Sequence, residues 1–259
     1  MMTAELERAA GRNLVGTYFR LANATPRVQV WQEQGFRVCV GDFEHPICNF
    51  AADLDLDEKS ADRLFKIAAG KPTFHVYVLP GDQPSNVTTL LVDSGFRSCH
   101  TMVQMVASPR SSGDVPGLRE ARSLDERGRI ARFMTEQFFS RQDAAFRRRV
   151  VDTTTAVTDL PLYALEDRGR IVGAFMLSIE QSVVGLYNLC VAAPSRRRGW
   201  GTMLVQAALN LAADHRQEIV LQCAPSLRSW YSDRTFRSAG AVECYDLPKS
   251  PGLAIMDRV

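Results

Sequence analysis

The chain has 259 residues, 46% hydrophobic and 23% charged, with a formal net charge of +2. This composition supports a packed core and excludes a disordered, collagen-like or low-complexity chain, and it lacks the basicity of a dedicated nucleic-acid binder. No run approaches 18 apolar residues, and the opening MMTAELERAAGRNL carries charge where a signal peptide is apolar, so a cytoplasmic protein without membrane contact is expected.

In chain order, residues 48–54 read as a strand, 58–69 as a helix and 73–79 as a second strand, with Asp93-Ser94-Gly95-Phe96-Arg97 closing the segment. The join between the first strand and the helix, Asp55-Leu56-Asp57-Glu58-Lys59-Ser60, carries three carboxylates and no glycine, and Asp57 fits a helix N-cap. Tyr18, Phe19, Phe43, Tyr77 and Phe96 are expected in the core rather than in a cleft. Proline, glycine and serine then interrupt all periodicity from Ser108 to Gly117, which places a boundary between domains at 1–108 and 116–259. Charge divides there too: residues 1–115 hold 11 basic and 13 acidic side chains, and the remainder 20 and 16. The second half is the expected home of an anionic ligand.

Beyond the linker, 124–139 and 144–157 read as helices, and 162–166 and 171–179 as strands joined by Asp167-Arg168-Gly169-Arg170. An apolar run from Val184 to Ala193, bounded by Pro194, reads as a buried strand. From Thr202 to His215 apolar residues recur every four positions, the stripe of a helix packed on a sheet. A strand at 218–223, a short helix at 226–233 and extended segments at 236–238 and 241–247 complete the pattern. The six cysteines and four histidines show no metal-ligand spacing: the cysteines are expected reduced in the core, the histidines structural or at the surface, and no metal is expected.

Between the buried strand and the long helix lies Arg196-Arg197-Arg198-Gly199-Trp200-Gly201-Thr202. A basic turn alone is a solvated surface loop. Set between a strand and a helix start, with glycines that let the backbone approach a ligand, it becomes a phosphate site: the first helical amides have no internal partner, the dipole favours an anion, and arginine forks suit a diphosphate. The P-loop and G-x-G-x-x-G patterns are both missing.

The segment Arg196-x-x-Gly199-x-Gly201 resembles the signature of the GNAT superfamily of acyl-CoA-dependent N-acetyltransferases. The likeness spans about 125 residues, from the paired helices through Leu189-Cys190-Val191-Ala192-Ala193-Pro194 to the end of the chain. The resemblance implies acetyl-CoA as co-substrate, its pyrophosphate held at Arg196, Arg197, Arg198, Gly199, Trp200, Gly201 and Thr202, and its pantetheine arm along Leu189, Cys190 and Val191. It implies that Tyr231 donates a proton to the departing thiolate, although the Gly that the family places before the following Phe236 is here Thr235. The family's frequent strand carboxylate falls on Gly185. That leaves Glu180, Glu136 and Glu243 as candidate bases by residue type alone, Glu180 standing as the tentative one.

The first half matches the second at an offset of 140 residues, from Phe96 to Phe236, which aligns Leu91 with Tyr231. Tandem arrangements occur in the superfamily. The expected fold is therefore α+β: two GNAT-like domains, each a mixed, mostly antiparallel sheet flanked by helices, the first degenerate and without a CoA loop. An unrelated α+β domain remains the alternative for 1–108. The expected activity is transfer of an acetyl group to an amine of a small molecule or protein; the rival is a non-catalytic acyl-CoA-binding sensor. Neither nucleic acid nor membrane is an expected partner, and nothing in the motifs points to the acceptor or the oligomeric state.

Overall fold

The computed structural model describes residues 3–248, so the last eleven residues of the second expected domain lie outside the described residues. The described residues form two compact units: 3–104 with 223–226 and 239–248, and 105–222 with 227–238. The sheet is mixed and mostly antiparallel, and helices flank it.

The first unit opens with α1 (Thr3–Ala24), which buries Leu6, Ala10, Leu14 and Leu21 at helical spacing. β1 (Val28–Glu33) and β2 (Phe36–Gly41) form an antiparallel hairpin whose turn, Gln34-Gly35, places Gly35 at φ +84°. β3 (Phe50–Ala52), α2 (Glu58–Ala69) and β4 (His75–Val78) make a crossover in which β3 and β4 run parallel. α3 (Val87–Asp93) and β5 (Arg97–Ala107), whose last three residues belong to the second unit, follow. The core gathers Phe36, Leu54, Leu64, Phe74, Leu91 and Phe96.

The second unit contains β6 (Leu118–Glu120), α4 (Leu124–Phe138), α5 (Ala144–Ala156), β7 (Leu162–Asp167), β8 (Arg170–Ile179), β9 (Val183–Val191), α6 (Trp200–His215), β10 (Glu218–Cys223) and α7 (Arg228–Ser232). Its strands lie in the order β10-β9-β8-β7-β6, antiparallel except for the parallel pair β9/β10. Two devices position α6. Gly173 on β8 leaves room for Leu204, since a Cβ there would meet the leucine at 2.6 Å. Small residues on the buried face, Ala207, Ala208 and Ala212, then let the helix lie close on the sheet. Buried Arg127 on α4 donates to the carbonyls of Thr154, Thr155, Val157 and Leu160, which fixes the end of α5.

The two extended segments expected at the C-terminus are one strand, β11 (Arg237–Asp246), and the compact units differ here from a cut at the linker. From residue 239 onward β11 belongs to the first unit, where it pairs antiparallel with β4. Its place between β4 and β5 is set by contacts more than a hundred residues away in sequence. Five of the six cysteines are buried as expected, whereas Cys99 is exposed.

Candidate functional site

Strand β9 reaches the arginine loop through a bulge. Its register with β8 shifts between Ala174 and Met176, opposite Asn188, whose φ is +52°. A bulge of this kind re-aims the strand and unpairs part of its backbone. On the other edge, β9 pairs with β10 over Val183–Gly185 and Glu218–Val220, while β9 itself runs on to Val191. Leu189 and Val191 are half-buried and Cys190 is buried, its thiol pushed up to about 12 by desolvation, so Cys190 is a packing residue.

A short 3-10 turn at Ala193–Ser195 ends in Arg196, and the chain then enters α6. Arg196 Nε donates to the Val191 carbonyl at 3.2 Å, folding its stem along the strand end, and Arg197 adopts φ +61°. Gly199 is the N-cap of α6 at φ +86°, in the left-handed region that favours glycine, and no side chain caps the helix. The helix begins its internal hydrogen bonding with Met203 N–H donating to Gly199 C=O at 3.1 Å, so the amides of Trp200, Gly201 and Thr202 stand before the ladder as donors. A Cβ on Gly199 would meet nothing within 4 Å. Arg196, Arg197, Arg198, Gly199 and Thr202 are exposed. The loop is therefore an open corner that combines free amides, the positive end of a helix dipole and three guanidiniums, a set of donors that fits a diphosphate such as that of CoA.

Gly201 faces elsewhere, since a Cβ there would lie 3.2 Å from the Trp230 ring on α7. Trp230 is thus a wall behind the helix start. Arg234, absent from the sequence reading, joins this wall to the loop. Its guanidinium lies 3.9 Å over the Trp230 ring and donates to Thr202 Oγ1 at 3.1 and 3.0 Å. It sits in the turn that ends α7, four residues past Trp230, and a basic residue that close to an aromatic was the available signal. The result is a further positive charge beside Thr202.

Tyr231 is buried on α7, edge-on to Trp230 at 4.8 Å and to Phe236 at 5.6 Å. The turn after it closes through Arg234 N–H and Phe236 N–H, both donating to the Tyr231 carbonyl, with Thr235 at φ +72°. A threonine occupies the left-handed geometry that the resemblance assigns to glycine. Glu180 sits in the turn between β8 and β9, where its carbonyl accepts from Gln217 Nε2 at 2.6 Å. The nine residues of β9 separate it from the arginine loop by roughly 26 Å along the strand, so the fold does not bring the two together. Glu243 lies on β11 and accepts from the Tyr245 hydroxyl at 2.8 Å. Glu136 lines an open cavity of about 480 Å³ between α4 and α5, together with Arg132, Arg147, Arg148 and Asp152.

The first unit repeats the crossover but not the corner. β3–α2–β4 has the same strand–helix–parallel-strand order as β9–α6–β10. Here, however, the approach is tied down and the helix start is capped: Asp55 N–H donates to Gly35 C=O at 2.7 Å, Leu56 N–H to Gln83 C=O at 2.9 Å, and Ser60 N–H to the Asp57 carboxylate at 2.7 Å in a capping box. The hydrogen bonds to the Ser60 amide and hydroxyl hold the Asp57 carboxyl below its usual range. The 140-residue offset also places Gly95, at φ +94°, against Thr235, and Phe96 N–H donates to Leu91 C=O as Phe236 N–H does to Tyr231 C=O.

Residues 126–231 match the sequence model of the acetyltransferase (GNAT) family. Among solved structures, the chain is similar to a GCN5-related N-acetyltransferase from Kribbella flavida, at 12% identity and a TM-score of 0.67 over 93% of this chain and 96% of that one. A putative GNAT-family acetyltransferase from Novosphingobium aromaticivorans aligns at 16% identity and a TM-score of 0.58, covering 94% and 99% of the two chains. A tandem GNAT protein from the clavulanic acid biosynthesis pathway aligns at 13% identity and a TM-score of 0.58, covering 85% and 83%. No curated protein matches by sequence. Among the described residues, no helix is long and apolar enough to cross a membrane. At such identities the structural likenesses speak to fold alone, whereas the match to the GNAT acetyltransferase family model runs from α4 to α7 with the arginine loop between them.

Proposed function

We propose that the chain is an acyl-CoA-dependent N-acetyltransferase that moves an acetyl group from acetyl-CoA directly to an amine of a small molecule or protein. The observation that carries this reading is the exposed, uncapped start of α6, with Gly199 left-handed and open to space beside Arg196–Arg198. When bound there, acetyl-CoA supplies an activated thioester. Arg196, Arg197, Arg198 and the amides from Gly199 to Thr202 bind and orient the diphosphate. The backbone of Leu189–Val191 on the β10 side, beyond the Val183–Gly185 pairing, holds the pantetheine arm, and its amides polarise the thioester carbonyl.

Attack by a neutral amine forms the carbon–nitrogen bond as the carbon–sulfur bond breaks, and the Tyr231 hydroxyl returns a proton to the thiolate sulfur. The proton lost by the amine leaves through water, because Gly185 holds the strand position of the family's carboxylate and pairs with Ser178 and Val220.

The absence of a side-chain base at Gly185 also supports the sensor reading. One experiment separates the two: calorimetry of acetyl-CoA binding, combined with thiol release against a broad amine panel. Turnover on at least one amine, with kcat reduced by about 100-fold or more in Tyr231→Phe at unchanged acetyl-CoA affinity, supports the transferase. Tight binding with no turnover on any acceptor supports the sensor. No binding at all overturns both.

A further inference from the structure

A second cluster with chemistry of its own lies wholly in the first unit. Three adjacent strands, in the order β4-β11-β5, each bring one soft or borderline ligand to the same place: His75, Cys244 and Cys99. In the antiparallel register of β4 and β11, His75 pairs with Asp246 and Tyr77 with Cys244, so His75 and Cys244 are diagonal neighbours on one sheet face. Cys244 Sγ lies 3.4 Å from His75 Nδ1 and Cys99 Sγ lies 4.0 Å from it, with all three atoms within 4.8 Å of one another. The Cys99 thiol donates to the Cys244 carbonyl at 3.2 Å, and His100 Nδ1 lies 3.4 Å from Cys99 Sγ.

These separations have a simple meaning. With zinc–sulfur bonds of about 2.3 Å and zinc–nitrogen bonds of about 2.0–2.1 Å, the edges of a tetrahedron run about 3.5–3.8 Å. The observed spacings bracket that range, and strands hold ligands more rigidly than loops do. The donor set of two sulfurs and an imidazole nitrogen selects a thiophilic cation and offers nothing to magnesium or calcium. Burial grades across the cluster from Cys244, which is buried, through His75, half-buried, to Cys99, exposed, so the site is open on one side.

We propose that the first unit binds a thiophilic divalent cation of the zinc class through His75 Nδ1, Cys99 Sγ and Cys244 Sγ, with the fourth position on the exposed side filled by water. Binding releases the thiol protons of Cys99 and Cys244 to bulk solvent and forms two metal–thiolate bonds and one metal–imidazole bond. The site is independent of the acetyl-CoA loop.

The test uses the reduced, chelator-stripped full chain titrated with cobalt(II), then with zinc(II). The expected result is one equivalent of cobalt giving thiolate-to-cobalt charge-transfer absorption with intense tetrahedral ligand-field bands, both erased by one equivalent of zinc. Because Cys99 is exposed, Cys99→Ser leaves the fold intact and should weaken cobalt binding by more than about 100-fold, beyond the loss typical of an outer hydrogen-bonding partner. His75→Ala should do the same, and Gly199→Val should leave the spectrum unchanged. The proposal is overturned if stoichiometric cobalt gives no charge-transfer band, if the band survives in Cys99→Ser, or if Cys99 and Cys244 join in a disulfide on air oxidation while the reduced chain takes up no metal.

Discussion

Thr235 shows how one side chain can occupy a conformation better suited to another. It is exposed, so its methyl group contributes little packing, and its φ of +72° places a β-branched residue in the left-handed region. That conformation costs an L-residue about 1–2 kcal/mol, while glycine adds unfolded-chain entropy that offsets part of the relief. Thr235→Gly is therefore expected to stabilise the protein by about 0.5–1 kcal/mol, read as a Tm rise of roughly 2–4 °C at the upper end. A lower Tm would mean that the hydroxyl or the turn's stiffness matters more than the backbone strain. The two loop glycines separate in the same way. A valine at Gly199 enters open space beside the amides, so Gly199→Val should keep the fold, lower Tm modestly through backbone strain, and weaken acetyl-CoA binding by more than about tenfold. A valine at Gly201 meets Trp230 instead, so Gly201→Val should act first on stability and on the seat of Tyr231. Calorimetry and thermal melts on both variants check the pair, and unchanged affinity in Gly199→Val would remove the phosphate corner.

At the level of elements, local periodicity made α2, α4, α5, α6 and β10 legible to within a residue or two, because each carries its own burial pattern and stop signals. The missed elements have particular reasons. α1 buries polar Asn13 and Thr17 among its apolar residues, which blurs the stripe. The β1–β2 hairpin turns on Gln34-Gly35 rather than on the Asn-Gly or Asp-Gly pairs that announce a tight turn. The site divides likewise. The arginine loop is contiguous and was readable. Arg234 reaches Thr202 across 32 residues, and the His75–Cys99–Cys244 cluster spans separations of 24 and 145 residues, which only strand order can bring together. The segment that closes the first unit's helix entry also has a consequence for pH. Asp82 accepts from Leu79 N–H at 2.8 Å, yet desolvation outweighs that bond and raises its pKa to about 7. For an acid whose folded pKa lies above its unfolded value of about 3.9, the stability contribution is complete below pH 4 and is lost as pH rises through 7. Asp82→Asn keeps an oxygen for Leu79 N–H and should remove that loss. The urea midpoint of the wild type should fall more between pH 5 and pH 8 than that of the variant; equal slopes would place the pH dependence elsewhere.

For the whole molecule, the repeated crossover poses a question of stoichiometry. Two strand–helix–strand corners exist, but their helix entries are chemically opposite. One offers exposed amides, a left-handed glycine and three arginines. The other has a capping box at Asp57 and Ser60, an approach tied to Gly35 and Gln83, and carboxylates where a phosphate would sit. Carboxylates beside a phosphate repel it, and no left-handed glycine or arginine stands at this helix start to compensate. The chain should therefore bind one equivalent of acetyl-CoA, not two. Calorimetry on the full chain should return a stoichiometry of one, with affinity weakened in Gly199→Val and the stoichiometry unchanged in Asp55→Asn. At a ligand concentration of about 100 times Kd, linkage predicts stabilisation of about 2.7 kcal/mol for a single site. A stoichiometry of two, or an Asp55→Asn chain that gains a second equivalent, would mean that the closed corner opens in solution and that charge alone was holding the ligand out.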